Sequence, residues 1–254
     1  MIVINGRFAT YGEVWFDENP PGHAGVDVLM FRQRSRAIDG HVCKTCMSLV
    51  NDLSVSEDTI MAAFGNTNRY KIKRASSKDG LEAECLANPR TQLERFSDFY
   101  DEFARQRGLP LAYRRGLNAA CEAGQLHLTY AAKGGWKLVW HAYITHGQKI
   151  ALLHSASLFR DMRNVDRALL GRANRWLHWR DMLHFKQMGL RCYDWGGVFE
   201  DESSAERAGI NTFKREFGGN VVRTFNCNVA VTLKGRAYLA LRNIHDRFEA
   251  KLHR

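Results

Sequence analysis

Between positions 193 and 214 the sequence places side chains suited to acyl transfer: Tyr193, Asp194 and Trp195, then Phe213 and Lys214. Attack of an amine on an activated acyl group needs the amine unprotonated and the carbonyl polarised. The charge that develops on the tetrahedral intermediate must also be stabilised. Lys214 is a cation able to stabilise such an oxyanion or to hold a donor phosphate. Asp194 can orient the incoming amine or accept its proton. Both also have plain structural readings. Lys214 can complement a helix C-terminus while Phe213 packs with Ile210 and Phe217, and Asp194 can bond the backbone of the glycine turn that follows it. His141, His154 and His178 are alternative bases, each within an apolar run where a satisfied core histidine is the commoner outcome. Ser155 and Ser157, followed by Arg160, can bind an acceptor hydroxyl or phosphate.

These residues need a frame of helix, short strand, glycine turn and second helix. The tryptophan-rich stretch from about 165 to 188 has no proline and stops at Gly189. Its core side carries Val165, Leu169, Ala173, Trp176, Leu177 and Leu183. Arg167, Arg172 and Arg175 fall on other faces, and Arg180 interrupts the apolar row, which predicts a buried stem with a paired charge. Residues 192–195 are too short and too aromatic for a surface loop and read as a buried strand. Gly196-Gly197 permits a sharp turn or a close approach to a ligand, and Gly218 is placed to cap the second helix.

The ordered set Tyr193-Asp194-Trp195-Gly196-Gly197-Val198 and Gly209-Ile210-Asn211-Thr212-Phe213-Lys214-Arg215-Glu216-Phe217-Gly218-Gly219 follows a helix ending His184-Phe185-Lys186-Gln187-Met188-Gly189-Leu190. In this order and spacing it resembles the C-terminal signature of the Fem-type (FemABX-like) transferases. A fainter likeness runs from Leu53-Ser54 to Asn68-Arg69-Tyr70-Lys71-Ile72-Lys73-Arg74-Ala75, and the two together span about half the chain. The resemblance implies a GNAT-like α/β fold, with a mixed, largely antiparallel sheet flanked by helices. It also implies an enzyme that moves an aminoacyl group from aminoacyl-tRNA onto the amine of a peptidoglycan-type precursor. On it, Phe213 and Lys214 lie at the reacting centre, beside Tyr193, Trp195, Gly196 and Gly197. The branch enzymes of that family are longer and commonly hold two complete GNAT-like domains. Here there is room for one domain or two abbreviated halves: a lobe over 1–125 and a catalytic lobe over 126–254, packed as one unit.

Composition narrows the partners. The chain has 254 residues, 45% hydrophobic and 25% charged, with 37 basic against 27 acidic residues and a net charge of +10. Such a field attracts phosphate-rich molecules without choosing among tRNA, coenzyme A and an anionic surface. Arg69 and Lys73 share one helical face, with Arg74 beside Tyr70 on the next. Together they form a candidate phosphate or base-stacking surface, or equally a solvated helix face. Arg32, Arg34 and Arg36 alternate along a strand end and read as a solvated edge or, alternatively, a phosphate-binding row. No apolar run reaches the roughly 20 residues of a membrane span, and the first residues read as a strand, not a signal peptide. The expected location is the cytoplasm.

The six cysteines are expected as reduced core thiols, since Cys43-Lys44-Thr45-Cys46 lacks the second pair of a zinc site. No bound metal or cofactor is implied. No Gln/Arg-x-x-Gly-x-Gly/Ala loop or Walker motif is visible, which argues against a nucleotide-hydrolysing or dinucleotide-dependent enzyme; the Fem-type resemblance, with the basic surface, implies aminoacyl-tRNA as the favoured donor. An acyl-CoA or acyl-carrier-protein donor is the alternative, and a non-catalytic RNA- or anion-binding module is the reading from another class. Along the rest of the chain, hairpins are expected at Lys133-Gly134-Gly135 and His146-Gly147-Gln148, joining strands over 126–132, 136–145 and 149–157.

Overall fold

Gly134 and Gly135, at φ +55° and +83°, supply the positive dihedrals of a tight two-residue hairpin loop. They join β6 (Leu126–Lys133) to β7 (Trp136–His146), and Gly147 at φ +55° turns the chain into β8 (Lys149–Ser157). The three strands pair antiparallel, as their sequence suggests. The structure, a computed structural model, describes residues 1–16, 19, 25–87, 89–158 and 166–252. It divides into two units, Met1–Cys46 with Arg223–Arg254, and Met47–Val222. The position near 125 suggested as a lobe boundary falls inside the second unit.

The first unit holds β1 (Ile2–Asn5), β2 (Thr10–Trp15), β3 (Val28–Arg34), most of β10 (Asn220–Ala230) and α7 (Leu233–Leu252). β1 pairs antiparallel with β2, β2 parallel with β3, and β3 antiparallel with β10. Val14, Val26, Leu29, Phe31 and Cys227 form its core. Contrary to the expectation of reduced thiols, Cys43 is disulfide-bonded to Cys227, 184 residues away in sequence. Arg32 lies 3.5 Å from Glu13, and Gln33 at φ +53° breaks the strand alternation, so the three arginines form no row.

The second unit is a sheet in the order β4-β9-β8-β7-β6-β5, with β4 (Cys43–Asp52), β5 (Glu82–Ala87) and β9 (Cys192–Val198). Only β8 and β9 run parallel; the other neighbours are antiparallel. On one face lie α1 (Glu57–Ala62), α2 (Asn66–Lys78) and α5 (Arg167–Gln187), burying Ile60, Ile72, Trp176 and Leu177 against Val139, Tyr143 and Trp195. Ser56 caps α1 by accepting from Thr59 N at 3.1 Å. α3 (Leu93–Arg107) and α4 (Arg114–Glu122) follow β5, and α3 sets Phe96 against Trp140 and Tyr100 against His154. α6 (Ala205–Arg215) follows β9.

α5 corrects two expectations. Arg172 is buried, bonded to Asp79 at 2.6 and 3.1 Å, while Arg180 is exposed. The helix contacts both α2 and the sheet, so its buried arc is wider than the single apolar row read from the sequence. Its expected start at Val165 lies outside the described residues. Among the described residues no helix is long and apolar enough to cross a membrane.

Candidate active site

The site arises where two parallel strands part. β8 and β9 are in register only from Lys149–Cys192 to Ala151–Asp194. Beyond this, β8 carries a bulge: Ala142 faces His154 but Tyr143 faces Leu152, leaving Leu153 as the extra residue. β9 is irregular too, between its pairings with Ser48 and Val50 of β4, where Gly196 stands at φ +71°. A cleft of about 980 Å³ opens at this divergence. Leu152, Leu153, Ser155 and Ser157 line one wall and Trp195, Gly196 and Gly197 the other. α6 contributes Ile210, Phe213 and Lys214, α5 contributes Asn174 and His178, and the end of α3 contributes Phe103 and Arg107.

Lys214 and Phe213 are held by partners on three elements. The Lys214 ammonium donates to Trp195 O at 2.9 Å and Gly197 O at 2.7 Å. Burial pushes its pKa down to about 8, against the opposing pull of Asp194. An ammonium has three donors, so one remains for a ligand. Arg175 stacks its guanidinium over the Phe213 ring at 4.7 Å and donates to Glu216 at 2.6 Å. Beneath, Trp195 Nε1 donates to Asn51 at 2.6 Å, and Asn51 donates to Phe217 O at 2.9 Å, tying β9 and β4 to the end of α6. Asn68 donates to Glu216 O at 3.2 Å, so the asparagine in the fainter likeness anchors the same turn.

The structure thus gathers Lys214, Phe213, Trp195, Gly196, Gly197 and Ser155 around one cleft. Asp194 lies elsewhere. Successive strand residues face opposite sides, and its carboxylate accepts from Ser48 Oγ and from Gly196 N at 2.7 Å. It lines no part of the cleft. Tyr193 is fully buried behind the wall. Arg69 donates to Ala62 O at 2.8 Å and to Asn66, all within its own end of the α1–α2 segment. Lys73 is exposed on α2, and Arg74 lines a separate depression of about 210 Å³ with Tyr70 and Arg172. Arg160 lies outside the described residues.

Sequence reading singled out His141 and His178 without seeing what joins them. His178 Nδ1 lies 2.8 Å from Tyr193 Oη, which lies 2.7 Å from Tyr143 Oη. Tyr143 donates to Asp181 at 2.6 Å. Asp181 also accepts from Thr129 at 3.1 Å and meets His141 Nδ1 at 2.8 Å, and His141 Nε2 is 2.8 Å from the Asn174 amide. The legible signal was Asn174, His178 and Asp181 at i, i+4 and i+7 on one helix face, a polar stripe in an otherwise apolar arc.

A bulged strand parting from its parallel neighbour over an acyl-sized cleft is the GNAT architecture, and the chain has it. No family model matches the sequence. Over 200 residues it is 23% identical to UDP-N-acetylmuramoylpentapeptide-lysine N(6)-alanyltransferase of Weissella viridescens, an alignment spanning 77% of this chain and 56% of that protein. The chain therefore spans about half the length of this curated relative. Its fold is similar to the crystal structure of FemX, with a TM-score of 0.58 and 15% identity, covering 76% of this chain and 63% of that one. It is also similar to L-PGS from Bacillus licheniformis, with a TM-score of 0.52 and 13% identity over 85% of this chain and 72% of that one. The likeness to FemX is one of fold, and that fold is GNAT-like.

Proposed function

We propose that this chain is an amide-forming aminoacyltransferase that moves an aminoacyl group from aminoacyl-tRNA to a primary amine. The observation that carries the reading is the placement of Phe213 and Lys214 at the strand divergence. There a half-buried cation with an uncommitted donor faces a cleft able to hold both an acyl group and a nucleophile. The sequence likeness to an alanyltransferase supports the acyl group being an amino acid. The Fem-type resemblance and the net charge of +10 support tRNA as its carrier.

In the reaction the amine nitrogen forms a bond to the ester carbonyl carbon and the charge passes to the carbonyl oxygen. Lys214 stabilises that oxyanion. Collapse breaks the bond to the ribose oxygen, which leaves as a hydroxyl, and the amine loses one proton. The acceptor is an amine-bearing peptide, peptidoglycan-type precursor, amino sugar or natural-product intermediate, and the place of action is the cytoplasm.

Radiolabelled aminoacyl-tRNA offered with a panel of amines tests this. Formation of an amide that ribonuclease pretreatment abolishes is the expected result. Product formed from acyl-CoA or acyl carrier protein, insensitive to ribonuclease, would replace the donor. Binding of charged tRNA without product from any donor would favour a non-catalytic module.

A further inference from the structure

A transferase of this kind must take a proton from its amine, and the acid first favoured for that task, Asp194, faces away from the cleft. The cleft wall itself holds a different base. His178 lines the cleft, and its Nε2 is a buried ring nitrogen with no hydrogen-bond partner. The ring is stacked 4.0 Å from His141, tilted at 4.4 Å from Trp195 and 5.8 Å from Phe213.

The hydrogen bonds behind His178 have a definite direction. Tyr143 has one hydroxyl proton, and it goes to the Asp181 carboxylate. The Tyr143 oxygen can then only accept from Tyr193, using the one proton of that hydroxyl. The Tyr193 oxygen can in turn only accept from His178 Nδ1. A neutral imidazole protonated at Nδ1 carries its lone pair on Nε2. The unpartnered atom is therefore a base.

We propose that His178 Nε2 accepts the proton of the attacking amine and that the chain Tyr193–Tyr143–Asp181 delivers its charge to the buried carboxylate. As the Nε2–H bond forms, the Nδ1 proton moves to Tyr193, the Tyr193 proton to Tyr143, and the Tyr143 proton to Asp181. The imidazole ends neutral and the carboxylate ends as the acid; on collapse the same transfers run in reverse, and Nε2 returns the proton to the leaving ribose oxygen. This deepens the transferase reading above and rests on it.

The relay accounts for a base that cannot hold a charge. Burial, reinforced by His141, Lys214 and Arg175, keeps the His178 imidazole well below its ordinary value. A proton lodged there would be a buried cation among these three. Sent on to Asp181, it instead cancels a buried anion. The ligand atoms of His141, His178 and Asp181 also lie within 4.8 Å of one another. A cation there would have to displace the bonds that Thr129, Tyr143 and His141 already make to Asp181, so the cluster is better suited to protons.

Nitrogen-15 NMR of histidine-labelled protein tests the tautomer without any substrate, the His178 signals being identified by their loss in His178→Gln. The expected result is a protonated Nδ1 and a bare Nε2 between about pH 6 and 8. A protonated Nε2 would overturn the proposal. In the transfer assay, His178→Gln should lower kcat by about 100-fold or more with little change in KM. Tyr193→Phe, which keeps the ring in the core, should lower kcat similarly and relax the tautomer preference. A wild-type rate in both variants would sink the relay and leave the transferase reading standing. Absence of transfer by the wild-type protein with every donor and amine would sink both.

Discussion

The Lys214 ammonium lies 2.7 Å from the carbonyl oxygen of Gly197, a residue at the point where β9 leaves β8. The backbone, rather than a carboxylate, holds this cation. Its position is fixed while its charge is left unneutralised for a ligand, which an oxyanion stabiliser requires.

Lys214→Met keeps the stem and removes the charge. We expect kcat for transfer to fall by about 100- to 1,000-fold, the usual loss for a stabilising donor, with charged-tRNA binding retained. Turnover at the wild-type rate would exclude the assigned role. The lysine is charged below its pKa of about 8 and neutral above it. The wild-type rate should therefore decline as pH rises through about 8.

The glycines after α6 are required by space as well as by dihedral angle. At Gly218, φ +66°, an added Cβ would stand 2.6 Å from Ala63 O, and at Gly219, φ +85°, it would overlap Val50 O. At Gly189, φ +84°, nothing lies within 4 Å. Gly189→Ala should cost only the dihedral strain, about 1 kcal/mol. Gly218→Ala and Gly219→Ala should cost more, about 2–4 kcal/mol. Thermal denaturation of the three variants would show this order, and equal losses would contradict it.

Stability should fall with mild acid before the carboxylates titrate. Burial lowers His127 and His154 to about 4, and His178 lies well below its ordinary 6.5. Between those values and about 6.5 the unfolded chain binds protons that the folded chain does not, so stability is full above 6.5 and is lost as pH drops. Each histidine contributes a slope of up to about 1.4 kcal/mol per pH unit. Urea midpoints measured at intervals between about pH 7 and 4.5 would reveal it, and a flat profile would refute it.

If α2 contacts tRNA, Lys73→Gln with Arg74→Gln should weaken binding and reduce the slope of log affinity against log salt by about 1.5–2. An unchanged slope would move the RNA surface away from this helix. Arg69 is the poorer test, since its guanidinium already serves Ala62 and Asn66.

The hairpins, the helices and the Phe213–Lys214 pair were legible because each is written in local spacing. Gly134-Gly135 sets a turn, and the stop of α3 at Gly108, φ +62°, follows from one residue. Asp194 was legible as an acid in a motif, but its strand parity turns it to the face opposite Trp195, where Ser48 of β4 donates to it, and only the fold decides which face is the cleft. The bulge at Leu153 depends on register with β7, which composition does not encode. Arg172 and Arg180 exchanged their expected places because α5 is covered on two sides. The hydrogen-bonded chain behind His178 draws on β7, β9 and α5, so its members are up to 50 residues apart, from Tyr143 to Tyr193, and only the packing of α5 on the sheet brings them together.

The bond between Cys43 and Cys227 also has a mechanical meaning. Residues 44–226, which include all of the cleft, form a covalently closed loop. Tension applied to the two ends of the chain would run from residue 43 through the sulfurs to residue 227. It would stretch only the flanking segments and leave the enclosed residues off the line of force. Reducing that bond would put the cleft in series with any pull.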